Sequence, residues 1–294
     1  MRRAFNRRKA LPILAFTFAT ALWGSATALW AAGENTQPDL LSLGGSVTEI
    51  VYALGQQHRL VARDTTSVFP PEAADLPDVG YLRALSAEGV LSVSPALIIS
   101  EEGAGPPETI ELLETASVPF VTVPETYTAQ GVVDKILAVG KALDVEPKAQ
   151  ELAHNVGRKL DAAAQRAPTQ SGTPKRVLFI LSTNGGRILA SGTGTAADGI
   201  IKMAGAVNAL VEFEGYKPVT DEAVSAAAPD VILMMDRRGD HATSNEELLA
   251  LPAITTTPAA KTQSVVRMDG LYLLGFGPRT AQAVTDLNTA LYGG

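Results

Sequence analysis

Few residue types able to do chemistry are clustered in this 294-residue chain. It has no cysteine, and its three histidines, His58, His154 and His241, are far apart in sequence. Without thiols there are no disulfides, thiolate metal ligands, cysteine nucleophiles or lipid-modified cysteine. P-loop, HExxH and Gly-x-Ser-x-Gly patterns are missing, and Gly192-Thr193-Gly194 lacks the spacing of a nucleotide loop. Two groupings remain. One is Tyr81 followed two residues later by Arg83, inside the Pro- and Gly-containing stretch Leu76-Pro77-Asp78-Val79-Gly80-Tyr81-Leu82-Arg83. The other is Met234-Met235-Asp236-Arg237-Arg238-Gly239-Asp240, where Arg237 or Arg238 is placed to meet an anion or to pair with Asp236 and Asp240. By themselves these residues leave open whether Tyr81 binds a ligand or packs beside a solvated Arg83.

The elements around them follow an alternating pattern. Leu40–Leu43 reads as a buried strand, Gly44-Gly45 as a turn, and Ser46 as the cap of a helix over 47–54 that Gly55 stops. Strands are expected at 59–62, 96–100 and 120–123, with helices over 86–94 and 106–116. The second half repeats the scheme with a strand over 177–181 and a helix over 196–204 stopped by Gly205. Ser86-Ala87-Glu88-Gly89-Val90 with Pro95 and an apolar strand matches Thr220-Asp221-Glu222-Ala223-Val224 with Pro229 at a constant offset of 134. A duplicated α/β lobe with a parallel central sheet is the expected result. Between the copies, Pro147 to Arg166 reads as one helix, with Leu152, Val156 and Leu160 on one face. Two Rossmann-like lobes joined by one long helix should place a ligand cleft between their sheet ends. The first lobe carries about 16 residues more than the second between helix stop and cap, all within 63–85, so that stretch should be a shaped loop with a function.

The N-terminus sets the expected compartment. Five basic residues within Met1–Lys9 precede an uncharged apolar stretch ending in small residues, Ala26-Thr27-Ala28. That is the layout of a cleavable export signal, so the chain divides into a signal peptide at 1–32, a lobe at 33–146, a connecting helix at 147–167 and a lobe at 168–294. Setting aside those five residues leaves 19 basic against 31 acidic, a net charge of −12, which gives no electrostatic footprint for nucleic acid. An exported chain lacking a lipid anchor is expected in a periplasm.

The segment from Leu76 to Leu91 resembles the haem-ligand segment of haemin-binding periplasmic proteins of haem ABC importers, the single-helix-linked class of substrate-binding proteins. Leu43–Ile50, Thr195–Asp198 with Ala204–Asn208, and Asp269–Thr280 are similar to that family as well. The resemblance implies a binding protein, not an enzyme, that carries ferric haem b as transported ligand. Its implied partners are an inner-membrane permease and its ATPase, with an outer-membrane haem receptor as a candidate donor. It also implies that Tyr81 is the axial ligand of the iron. A free phenol has a pKa near 10, so an ionised one at neutral pH needs Fe³⁺ and a nearby cation, which Arg83 can supply. Arg237 or Arg238 would meet a propionate, Tyr272 and Phe276 could pack on the porphyrin, and Glu108 and Glu222 would meet the permease. The sequence departs from some members at Ser182-Thr183-Asn184-Gly185-Gly186, a turn where those carry a histidine. A ferric siderophore or cobalamin is the alternative ligand, and a periplasmic haem-processing enzyme the alternative of a different class.

Overall fold

The protein is described by a computed structural model covering residues 38–166, 173–236 and 243–293. The chain starts in β1 (Leu40–Leu43), whose four residues are all buried, as expected of a strand covered on both faces. Helix α1 (Gly45–Ala53), β2 (Leu60–Arg63), α2 (Ala87–Ser92), β3 (Leu97–Glu101), α3 (Pro107–Glu114) and β4 (Phe120–Val123) follow. Their strands form one parallel sheet in the order β2-β1-β3-β4. An antiparallel helix pair, α4 (Ala129–Ala142) and α5 (Glu146–Arg166), comes next. The second half contains β5 (Arg176–Ser182), β6 (Ile188–Ser191), α6 (Ala196–Met203), β7 (Val207–Asn208), β8 (Tyr216–Val219), α7 (Asp221–Ala227) and β9 (Val231–Asp236). It ends in α8 (Asn245–Leu249), α9 (Pro252–Thr255), α10 (Pro258–Thr262), β10 (Val265–Asp269), α11 (Gly270–Leu274) and α12 (Thr280–Tyr292).

The duplication read from sequence is a duplication of topology. β5 pairs in parallel with β7 on one side and β9 on the other, and β9 pairs with β10. The order β7-β5-β9-β10 therefore repeats β2-β1-β3-β4. Ser86 and Thr220 cap the matching helices α2 and α7, accepting from Gly89 N at 3.0 Å and Ala223 N at 3.2 Å. Gly55 and Gly205 turn the chain at φ of 71° and 79°, a region that favours glycine.

Three features differ from expectation. The second sheet also carries β6 and β8 as antiparallel strands, because Gly185 and Gly186, both at positive φ, send the chain from β5 back along it. Ser46 does not cap α1: Gly44 does, at φ 112°, and Ser46 lies inside the helix with its side chain committed elsewhere. Helix α4 was not expected from the sequence pattern. Thr128 caps it by accepting from Gly131 N at 3.0 Å, and Val132, Ile136 and Val139 bury one face. On α5 the buried face is Ala149, Ala153, Val156, Leu160 and Ala163, with the wholly apolar positions alternating four and three apart. A Cβ at Gly140 would lie 2.0 Å from the Ala149 side chain, so the Ala149 methyl of α5 packs directly on the α4 backbone. One apolar core runs from β1 and α1 through α4, α5 and α12 into β5 and α6, with a smaller cluster in each lobe. Truncating one of its fully buried members, such as Leu160→Ala, costs about 2–5 kcal/mol.

Candidate functional site

The long loop between β2 and α2 is built on two aspartates, one buried and one exposed. Asp64 is fully buried and accepts four hydrogen bonds, from Gly44 N (2.8 Å), Ser67 Oγ (2.6 Å), Thr66 N (2.8 Å) and Thr66 Oγ1 (2.6 Å). Thr48 donates to Ser67 Oγ at 2.6 Å, so the loop's start is tied to α1. Asp78 takes Arg63 Nη1 on one oxygen (2.8 Å) and Thr65 Oγ1 (3.1 Å) and Gly80 N (2.8 Å) on the other. Residues 77–80 thereby run alongside the end of β2, with Arg63 N bonded to Pro77 O, Val79 N to Arg63 O and Thr65 N to Gly80 O. Beyond, Gly105 N donates to Leu82 O and Leu85 N to Gly105 O. Gly80, at φ 108°, makes the turn, and Tyr81 emerges from it with half of its surface exposed.

Tyr81 opens onto a cleft of about 370 Å³ between the two sheets. The first half contributes Gly45, Thr65, Thr66, Val68, Tyr81, Leu82, Arg83 and Glu101; the second contributes Met235 at the end of β9 and Gly270, Leu271, Leu274 and Gly275 around α11. The cleft is thus apolar on the α11 side and polar on the loop side. It lies beyond the carboxyl ends of parallel strands, where ligands of such sheets bind. Gly45 has to be glycine: a Cβ there would lie 2.4 Å from Leu271 and 2.8 Å from Thr66 O. Arg83 is exposed and its charge reaches two phenols, Tyr127 after β4 and Tyr216 of β8. Burial pushes Tyr127 up to about 12, with Glu125 adding to the rise and Arg83 opposing it. Burial also raises Tyr216, while Thr195, the Ala197 N–H and Arg83 hold it down.

Beneath the cleft lies a buried polar seam. Lys135, with no exposed side-chain surface, donates to Glu125 Oε2 at 2.6 Å, to Ser46 Oγ at 2.9 Å and to the Gly275 carbonyl of the second half at 3.2 Å. Ser46 passes the contact on, its N–H at 3.0 Å and its hydroxyl in a short hydrogen bond, both to Glu101. Burial raises Glu125 to about 7; Lys135 opposes that and Glu101 and Glu102 reinforce it. A second link joins Glu49 of α1 to Arg279 before α12, with Arg279 N on Oε1 at 3.0 Å and Nε on Oε2 at 2.9 Å. Burial raises the Glu49 carboxyl even against that partner.

Of the residues expected at the site, Tyr81 and Arg83 line the cleft. Arg237 and Arg238 lie outside the described residues, as does His241; Met235, two positions earlier, reaches the cleft. Tyr272 and Phe276 do not line it. On α11, Leu271 and Leu274 take the cleft-facing side, three residues apart, so Tyr272 is turned away. Its hydroxyl donates to Asp286 at 2.7 Å, and its pKa lies above the ordinary value through burial and that carboxylate. Phe276 is 1 % exposed, held edge-on to Tyr127 with ring centroids 5.2 Å apart. Glu108 in the first turn of α3 and Glu222 in the first turn of α7 are both exposed. His58 and His154 are exposed and away from the cleft. Residues that the sequence did not single out include Val68, Leu271, Leu274 and Met235. Leu271 and Leu274 were identifiable only through helical spacing, and Val68 only through its neighbours in the extra loop.

Fold and cleft together define a two-lobe solute-binding protein. The chain belongs to the periplasmic binding protein family, whose model matches residues 40–271. It is similar to the structure of the periplasmic heme-binding protein BhuT in complex with two hemes, 41 % identical over 86 % of this chain and 97 % of that one, with a TM-score of 0.83. It is also similar to the periplasmic heme-binding protein RhuT from Roseiflexus sp. RS-1 in apo form, 37 % identical over 87 % of this chain and 98 % of that one, again with a TM-score of 0.83. The vitamin B12-binding protein of Vibrio cholerae serotype O1 is 28 % identical over 86 % of this chain and 88 % of its own length.

Proposed function

We propose that this protein binds ferric haem b in the cleft and delivers it to an inner-membrane ABC importer, without catalysing a reaction. The observation that carries the reading is Tyr81: a half-exposed phenol at the mouth of a cleft with one apolar wall, on a loop held by Asp64 and Asp78, with Arg83 two residues on. A phenolate is a hard donor suited to Fe³⁺, and tyrosine is an established haem ligand. Leu271, Leu274 and Met235 supply an apolar wall for a porphyrin. Arg83, which lines the same cleft, would stabilise the phenolate, and Arg237 or Arg238, which follow β9 in sequence, would meet a propionate. Greater identity to haem-binding than to vitamin B12-binding relatives favours haem over a corrinoid. Addition of haemin to the purified apo-protein should give a high-spin spectrum with a phenolate-to-iron charge-transfer band, and titration gives the number of haems. Binding of cobalamin with no such band would replace the reading by the corrinoid one; degradation of the porphyrin would replace it by an enzyme.

The rest of the assignment is consistent with that role. Residues 1–32 act as a cleavable signal for export to the periplasm. The lobes are 33–146 and 168–294, joined at 147–167, and intact mass of the exported form locates the cleavage. Permease docking falls to exposed glutamates: Glu222 with Glu108, or with Glu88, the equivalent of Glu222 in the repeated topology.

A further inference from the structure

Arg279 lies in the second lobe, yet its guanidinium stacks on a residue of the first lobe's ligand loop. Its Cζ is 3.4 Å from the centroid of the Phe69 ring and 5.2 Å from that of Tyr272. The same side chain holds Glu49 through Nε at 2.9 Å, and its backbone N–H holds the other carboxylate oxygen at 3.0 Å. Phe69 sits between two cleft-facing parts of one loop: Val68 precedes it in the lining, and Tyr81 and Arg83 lie beyond the turn at Gly80. The Asp64 and Asp78 hydrogen bonds tie that loop together on the first-lobe side, and on the second-lobe side Leu271 packs against Gly45 and Arg279 against Phe69. Arg279 is thereby a charged contact between the second lobe and the loop.

We propose that Arg279 is a positioning residue for the ligand loop, clamping Phe69 from the opposite lobe so that the placement of Tyr81 depends on the lobes staying in register. Separation of the lobes then withdraws Arg279 from Phe69 and Glu49 together, and the loop relaxes without any contact to the ligand being broken directly. A guanidinium is suited to this because it stacks on a ring and forms a directed pair with a carboxylate at once, which an ammonium does not do. The effect on ligand release rests on the haem reading; the effect on the loop is independent of it.

The test uses full-length mature protein carrying Arg279→Lys, Phe69→Leu or Phe69→Trp. Arg279→Lys keeps the charge beside Glu49 and removes the planar stack; Phe69→Trp keeps an aromatic face. In the apo-protein, Arg279→Lys and Phe69→Leu should speed amide hydrogen exchange in 64–85 while leaving β3 and β4 unchanged, and Phe69→Trp should match the parent. With haem loaded, the first two should release it to excess apomyoglobin about fivefold faster or more, the equivalent of about 1 kcal/mol, and Phe69→Trp should stay within about twofold. Unchanged exchange in 64–85 in both variants overturns the clamp, whatever the ligand proves to be. Faster exchange with an unchanged release rate overturns its role in placing Tyr81. A parent protein with no phenolate band overturns the haem reading alone, and the exchange data then still decide the clamp.

Discussion

At the scale of the residue, the proposed ligation of iron rests on the Tyr81 phenol. Tyr81 is half exposed and its loop is pinned by Asp64 and Asp78, so its ring keeps its place when the oxygen is removed. Tyr81→Phe should therefore fold normally and lose the charge-transfer band, with haem affinity lower by roughly tenfold or more, about 1.4 kcal/mol. Absorption titration of the two proteins checks both; a Phe variant keeping spectrum and affinity moves the ligand to another residue. Tyr272 is a poor substitute ligand, since its hydroxyl is already engaged by Asp286.

Elements explain what could be read in the sequence and what could not. Buried strands such as Leu40–Leu43 and capped helices such as that at Ser86 announce themselves through local pattern, and the Ser86 and Thr220 repeat carried over directly into topology. The extra loop was legible as an insertion because its prolines and glycine oppose regular structure. Its internal order was not, since the four bonds converging on Asp64 come from Gly44, Thr66 and Ser67 in two segments. Aromatic type alone does not tell that Tyr272 on α11 turns to Asp286 or that Phe276, beyond that helix, is buried against Tyr127. The seam was invisible for a similar reason: Lys135 sits on the unanticipated α4, and its partners lie 10, 89 and 140 positions away. That seam carries a pH dependence. The Glu125 carboxyl is raised from 4.5 to about 7, so the fold prefers it protonated and its favourable contribution, full below about pH 4.5, is lost as pH rises through about 7. Relative to Glu125→Gln, which cannot ionise, the parent should lose stability between pH 5 and pH 8, by at most on the order of 3 kcal/mol. Urea unfolding of both proteins at the two pH values measures it; parallel curves would show that Glu125 does not titrate there.

For the whole molecule, the continuous core through α4, α5 and α12 and the two polar links beneath the cleft resist a large hinge motion. Scattering curves with and without ligand should differ little. Release then needs an outside agent, and the exposed helix starts offer it a grip on each lobe. Glu222 lies in the first turn of α7 and Glu88 in the first turn of α2, at equivalent places in the repeated topology, both exposed. A permease built from two like halves would meet like positions, which favours Glu88 over Glu108 as the partner of Glu222. Opposite charges across such an interface steer encounter, and placing like charges there costs several kcal/mol. Glu88→Lys combined with Glu222→Lys should therefore reduce haem uptake through the reconstituted importer by roughly tenfold or more, with haem affinity and spectrum unchanged because neither residue lines the cleft. Glu108→Lys combined with Glu222→Lys is the comparison that decides between the two. If that pair proves the more damaging, docking follows α3 rather than the repeat, and the permease does not read the two lobes symmetrically.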